Sequence, residues 1–183
     1  MKSIHNGVLA ILLLFSLLWG ESSDFDMLKV HSKILPRILQ MSLPAPSDTA
    51  PELLCLLYDP IDAENAYIFA KLLNVSVRRA QGFELMIKMA SYAHMQTCMD
   101  AQALFLFDTN PATLRAVRKM VGERPVFVAA YSAQLLEEGA DYSLSIGRTV
   151  QPYLNLKTLA KKGIIPKPLL IRISKIYVQK EER

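Results

Sequence analysis

Three uninterrupted apolar runs constrain the fold of this chain more than any other feature of its sequence. They cover residues 53–58, 103–107 and 126–130, and each is followed by Asp, Asn or Ser and then by a helical spacing of apolar residues. A run without alternation is typical of a strand covered on both faces, as in a parallel sheet. Strands separated by helices also require crossover connections. The sequence therefore predicts a three-layer α/β fold with a mostly parallel central sheet of about five strands and helices on both faces.

The first 20 residues differ from the rest in composition. Lys2 precedes an apolar run over residues 7–19, and Gly20 and a short polar stretch follow it. A positive start, an apolar core of roughly 7 to 15 residues and a small-residue exit are typical of a secretory signal peptide. A membrane span needs about 20 apolar residues. We therefore expect residues 1–20 to be a Sec-type signal peptide that is removed on export to the periplasm, with a retained membrane anchor as the alternative.

The remaining chain is long enough for one domain with a substantial core. Residues 21–51 comprise a helix with an interruption predicted at Pro36 and a Pro-rich connector, and together with residues 52–183 they are predicted to form one globular α/β domain. The balance of 21 basic and 17 acidic side chains gives no electrostatic footprint for nucleic acid.

The charges are nevertheless unevenly distributed. From Ser143 to the end there are nine basic and two acidic side chains, a net charge of +7. The sequence predicts a closing helix over residues 168–178 within this region. Its basic residues form either a solvated face or a docking surface for an acidic partner or anionic lipid headgroups, with Lys175 and Lys180 as the candidate docking residues.

Cys55 and Cys98 are the two cysteines of the chain, which excludes a disulfide scaffold and permits at most one bridge. Export would permit that bridge. Cys55 within an apolar run is equally typical of a small buried hydrophobic residue, so the sequence leaves the pairing open.

Polar side chains follow the predicted strands at the points where the strands end. In open parallel sheets, ligands bind outside the carboxyl ends of the strands, near the reversal of strand order. The same residue types also begin helices, so helix capping is the alternative interpretation. The candidate ligand-binding residues are Tyr58, Asp59 and Asp62 after the first run, Asp108, Thr109 and Asn110 after the second, and Tyr131 and Ser132 after the third.

The usual catalytic signatures do not occur in the sequence. It has no glycine-rich phosphate loop and no G-x-S-x-G nucleophile motif, and His31 and His94 are the histidines beyond the predicted signal peptide. Asp59 and Asp108 form at best a weak carboxylate pair. We therefore assign no catalytic residue, metal ligand or cofactor, and predict a protein that is not an enzyme.

The closing segment carries a family resemblance, through Asn155, Leu156, Gly163, Ile164, Leu169 and Leu170. Together with the strand endings at residues 58–60 and 104–108, it resembles the YfiR family of small periplasmic proteins. The chain departs from that family over residues 38–44, where many members carry an aromatic-Trp-Pro sequence. The family provides no catalytic residues to transfer.

The resemblance implies a regulatory or sensory function. It predicts a homodimer, peripheral to the membrane, that binds and restrains the periplasmic domain of a membrane signalling protein such as a diguanylate cyclase or a sensor kinase, and so affects cyclic di-GMP signalling. The alternative is a small periplasmic solute-binding protein associated with a transporter, since similar strand endings and sheets occur in that class.

Overall fold

The computed structural model describes residues 24–43, 51–79 and 84–178. The predicted signal peptide, most of the Pro-rich connector and Lys180 lie outside the described residues. Helix α1 covers residues 24–42. The elements after it are β1 (Glu52–Tyr58), α2 (Ala63–Arg79), β2 (Leu85–Ser91), β3 (Ala103–Leu106), α3 (Pro111–Val121), β4 (Phe127–Ala130), β5 (Tyr142–Ile146), β6 (Val150–Leu154), α4 (Leu156–Lys161), α5 (Pro168–Ile173) and β7 (Lys175–Ile176), with 3-10 turns at Pro60–Asp62, Tyr92–Cys98 and Ala133–Leu136.

These strands form one sheet in the order β2-β1-β3-β4-β5-β6-β7. Strands β1 to β5 are parallel, β6 is antiparallel to β5, and β7 is parallel to β6. The predicted mostly parallel α/β fold is confirmed, and the sheet gains β6 and β7 at one edge beyond the five strands expected. Strand order reverses at β1, since the chain places β2 on one side of it and β3 on the other. The carboxyl ends of β1 and β3 therefore mark the expected position of a ligand site.

Alternate residues along the strands face two apolar layers. Leu54 and Phe105 pack on the face covered by α1 and α2. Leu104 and Val128 pack on the opposite face, with α3 and the 3-10 turns. Because both faces are covered, the strands are apolar throughout, as the sequence indicated.

Helix α1 continues through Pro36, so the interruption predicted there is wrong. Proline removes one backbone hydrogen bond and usually costs about 3 kcal/mol inside a helix. The residues around it, Leu35, Ile38 and Leu39, are at most 1% exposed. Burial of three such side chains contributes roughly 1.5–3 kcal/mol each, which outweighs the lost bond. No helix among the described residues is long and apolar enough to cross a membrane.

The closing helix predicted over residues 168–178 is wrong in its second half. Helix α5 ends at Ile173, and β7 follows it. The Tyr177 amide donates to the backbone of β6 at 2.7 Å, and Lys175 lies opposite Tyr153 in the register. Pairing with β6 provides hydrogen-bond partners for this backbone, whereas another helical turn here would have no apolar face to bury. Lys175 therefore lies on a short edge strand, with its ammonium 5.7 Å from the centre of the Tyr153 ring.

The pairing of cysteines that the sequence left open is present in the structure as a disulfide between Cys55 and Cys98. The two Cα atoms are 5.9 Å apart, and both side chains are buried. The bond links the middle of β1 to the 3-10 turn that follows β2, on the face that α3 covers.

Candidate binding site at the carboxyl edge of the sheet

Asp59 and Thr109 connect the carboxyl ends of β1 and β3. Asp59 follows the last residue of β1, and the hydroxyl of Thr109 donates a hydrogen bond to Asp59 Oδ2 at 2.7 Å. The two residues are 50 positions apart in sequence, and the parallel register of β1 and β3 brings them together. Two of the predicted site residues thus meet at the reversal of strand order. Asp59 makes no side-chain cap to the turn after it, so capping does not account for its carboxylate.

Further carboxylates lie around this pair. Burial is the main cause of the raised pKa of Asp62. The charges of Asp59 and Asp24 add to the rise, and a hydrogen bond with Asn65 opposes it. Burial, then the charges of Asp62 and Asp24, raises the pKa of Asp108. The charges of neighbouring carboxylates therefore add to burial in disfavouring the ionised forms of Asp62 and Asp108. A bound cation would relieve that repulsion. We call Asp24, Asp59, Asp62 and Asp108 the carboxylate cluster.

Two of the predicted site residues act as helix caps. Asn110 Oδ1 accepts from the Thr113 amide at 3.0 Å, where α3 begins. Ser132 Oγ accepts from the Gln134 amide at 3.2 Å, where the next 3-10 turn begins. For these side chains the capping interpretation describes the contacts that the structure shows.

Tyr131 and helix α1 form one wall beside the carboxylate cluster. The Tyr131 hydroxyl donates to Asp24 Oδ1 at 3.3 Å, and its ring stacks on His31 with centroids 5.5 Å apart. His31 also meets the edge of the Phe105 ring, at 5.6 Å. Burial lowers the pKa of His31 to about 4, opposed in part by the Tyr131 backbone, and neither ring nitrogen makes a hydrogen bond of ordinary geometry to a described residue. The imidazole is therefore neutral at pH 7 and serves as a packed aromatic group.

Three residues of this region were not among the sequence candidates: Asp24, His31 as a stacking partner, and Tyr92. Tyr92 is buried, and its hydroxyl donates to the Phe107 carbonyl at 2.6 Å, just before Asp108. Burial and the nearby charges of Asp59, Asp108 and Asp62 raise the pKa of Tyr92. Asp24 and Tyr92 reach the edge from α1 and from the turn after β2, and no local sequence signal indicates either approach.

The chemistry that this edge offers is recognition of positive charge. Carboxylates lie there together with the hydroxyls of Thr109 and Tyr131, and the Tyr131 ring stacks on His31 and Phe107. Among the described residues, no group of three or more His, Cys, Asp and Glu side chains is arranged to bind a metal ion. His94 is exposed and contacts Ser91, with Nδ1 3.0 Å from Oγ. Tyr58 ends β1 half-buried beside the cluster, opposite Ser91 in the register.

Comparisons with known proteins show similarity of fold. No family model and no curated protein matches the sequence. A solved structure described as an ABC domain in complex with L-Trp, from Streptococcus pneumonia, matches over 80% of this chain and 62% of its own, with a TM-score of 0.63 and 11% identity. A conserved domain protein from Vibrio cholerae matches over 81% and 59%, with a TM-score of 0.56 and 14% identity. A ligand-free, open substrate-binding protein with adhesive properties, from Clostridium difficile, matches over 79% and 58%, with a TM-score of 0.58 and 13% identity.

The chain therefore spans about three-fifths of the length of these solved chains. At identities of 11–14% the match concerns the fold and not the ligand. The chain has the α/β fold found in these proteins, two of which are described by a bound solute or as a substrate-binding protein.

Proposed function

We propose that the chain is an exported, non-enzymatic α/β binding protein that takes a small cationic solute at the carboxyl edge of its sheet. The observation that carries the proposal is the carboxylate cluster, which lies at the reversal of strand order where sheets of this kind bind ligands. An amine would bind between Asp59, Asp62 and Asp108, near the Tyr131 hydroxyl that contacts Asp24. The solute-binding proteins among the structural neighbours support a binding function, and the choice of a cation rests on this chain's own residues.

The test is a thermal-shift screen of the mature chain with arginine, putrescine and spermidine, and with triacetylated spermidine as the uncharged counterpart. At a ligand concentration of about 100 times Kd, binding adds about 2.7 kcal/mol of stability, which corresponds to a rise in Tm of roughly 5–10 °C for a domain of this size. Asp62→Asn and Asp108→Asn should abolish the rise. Both substitutions also remove repulsion, so we expect the basal Tm to be unchanged or higher.

Glu64→Gln is the matched control, since this exposed carboxylate lies near Asp62 but outside the cluster. It should leave the ligand-induced rise intact. A screen in which no amine raises the Tm, or in which Glu64→Gln removes the rise as fully as Asp108→Asn does, would contradict the proposal.

A second candidate function follows from the closing segment and the YfiR resemblance: docking on the periplasmic domain of a membrane signalling protein. Exposed apolar and basic side chains alternate there, and residues 143–178 contain no Asp or Glu. The exposed members are Ile165, Lys167, Leu169, Ile171, Arg172, Ile173, Lys175 and Ile176. Such a surface is complementary to an acidic patch on a protein.

Co-purification with the periplasmic domain of a diguanylate cyclase or sensor kinase tests this candidate. Lys175→Glu and Arg172→Glu should weaken binding and reduce its dependence on salt. Lys71→Glu on α2 is the control. Complete lack of binding, with cyclic di-GMP unchanged when the gene is deleted, would exclude the candidate. The implied homodimer is tested by the solution mass of the mature chain.

A further inference from the structure

The connection from β4 to β5 leaves a gap in one helical layer. The crossovers from β1 to β2 and from β3 to β4 contain α2, with 17 residues, and α3, with 11 residues. The β4–β5 crossover instead contains a 3-10 turn of four residues, Ala133–Leu136, as the β2–β3 crossover contains the 3-10 turn Tyr92–Cys98. A turn of that length cannot cover the strands as a full helix does. A cavity of about 360 Å³ lies in the gap, between α3, this turn and α4.

The inner wall of the cavity is apolar. Leu106 and Val128 line it from β3 and β4, and Leu114, Val117 and Val121 line it from α3. All five side chains are at most 5% exposed, so the wall is a fixed part of the core. The volume lies within the range of about 300–1,000 Å³ that is typical of small-molecule sites.

The rim of the cavity is mainly basic. Arg118 and Lys119 lie on α3, and Lys161 and Lys162 lie at the end of α4. Glu123 and Glu138 are the acidic members of the lining. Because Asp141, which is not in the lining, balances the charge of Lys162, the rim has an excess of one positive charge. The rest of the lining is apolar or uncharged.

Lys162 holds its ammonium at this cavity by contacts with the sheet. It pairs with the buried carboxylate of Asp141 and donates to the Val126 carbonyl at 3.1 Å. Asp141 in turn accepts from the Val128 amide at 2.8 Å. An ammonium has three N–H donors, and these two contacts use two of them. One N–H donor therefore remains beyond these two contacts.

We propose that this cavity is a second binding site, which takes a small apolar anion: a carboxylate on a hydrocarbon body. The hydrocarbon occupies the space over Leu106, Leu114 and Val128. The carboxylate lies at the rim, where Lys162 donates its remaining N–H and where Arg118 and Lys161 provide positive charge. The site shares no lining residue with the carboxyl edge of the sheet, so it operates independently of the cationic solute proposed above.

Titration calorimetry with octanoate on the mature chain tests this site, with 1-octanol and octylammonium as probes that keep the body and change the head group. Octanoate should bind at least fivefold more tightly than 1-octanol, and octylammonium more weakly than either. Arg118→Gln and Lys161→Gln should each weaken octanoate about 3- to 10-fold, since each removes one partly solvated charge from the rim. Both side chains are exposed, so the variants should fold normally.

The chain provides a matched control for each variant on the same helix. Arg115 on α3 and Lys157 on α4 are exposed and lie outside the cavity lining. Arg115→Gln and Lys157→Gln should leave octanoate affinity within twofold of the parent. Ala140→Leu, which places a larger side chain in the lining, should abolish binding of both octanoate and 1-octanol.

Three results would overturn the proposal: no heat of binding with octanoate up to 5 mM, equal affinity for octanoate and octylammonium, or equal losses in the lining and control variants. Because none of these substitutions touches the carboxylate cluster, a failure here leaves the amine screen unaffected. Failure of the amine screen likewise leaves this site standing.

Discussion

Reduction of the disulfide between Cys55 and Cys98 should lower the stability of this domain by a large, calculable amount. The two residues are 43 positions apart, and the loop between them contains α2 and β2. In the chain-entropy treatment, a cross-link that closes a loop of this length removes about 4 kcal/mol of unfolded-state entropy at 25 °C. The native structure need not change, because the bond adds a constraint chiefly to the unfolded chain. We therefore expect the reduced protein to fold and to be weaker by up to that amount.

Equilibrium urea unfolding with and without a phosphine reductant measures the difference. The single tryptophan, Trp19, lies in the predicted signal peptide, so far-UV circular dichroism is the suitable signal. With a slope of about 2 kcal/mol per M, a loss of about 4 kcal/mol lowers the midpoint by about 2 M. A Cys55→Ala/Cys98→Ala variant should show no response to the reductant, and its offset from the reduced parent measures the cavities left by the two thiols. The reasoning fails if the oxidised and reduced midpoints agree within about 0.3 M, or if the denatured oxidised protein contains free thiols.

Three further predictions concern single positions. Burial lowers the pKa of His31 from 6.5 to about 4, so between these pH values the unfolded chain binds a proton that the folded chain does not bind. The free energy of unfolding should therefore fall by about 3 kcal/mol as the pH drops from 6.5 to 4. Urea unfolding at a series of pH values measures this dependence, and His31→Phe should remove it. Lys162→Met should lower the free energy of unfolding by about 3–5 kcal/mol, because it leaves the Asp141 carboxylate buried without its cation. Adding Asp141→Asn to this variant should recover a large part of that stability. A double variant as unstable as Lys162→Met alone would contradict this explanation. Gly163→Ala should lower stability by about 1 kcal/mol, since Gly163 has a φ of +67° after α4, whereas Gly147→Ala, at a position without such a φ, should be nearly neutral in thermal melts.

Much of the fold could be predicted because the strands of this sheet are apolar on both faces. For that reason the strands that end near Tyr58 and Phe107 could be predicted from their apolar runs. The start of α3 could be predicted from a different signal, the capping residue Asn110 followed by Pro111. The passage of α1 through Pro36 could not be predicted, since it depends on burial that only the assembled core provides. Strand β7 was missed for a related reason: two residues carry no periodicity, and their partner strand is distant in sequence.

The candidate site was predictable in part. The positions of Asp59 and Asp108 follow from where two strands end, and parallel pairing then places them at one edge. Asp24 and Tyr92 approach the same edge through tertiary packing of α1 and of the turn after β2, which leaves no local signal. Asn110 and Ser132 have residue types that suit capping and binding equally well, and their hydrogen bonds identify them as caps.

Helix α1 meets the carboxyl edge of the sheet through two contacts with Tyr131. Asp24 is held by the Tyr131 hydroxyl, and two turns further along the helix His31 rests on the same ring. A cation that attracts the Asp24 carboxylate would compete with its hydrogen bond from Tyr131, whereas the stacking of His31 on Tyr131 would remain. Tyr131 therefore links the first turn of α1 to the end of β4, and the cation proposed for this edge would act on the helix as well as on the strands.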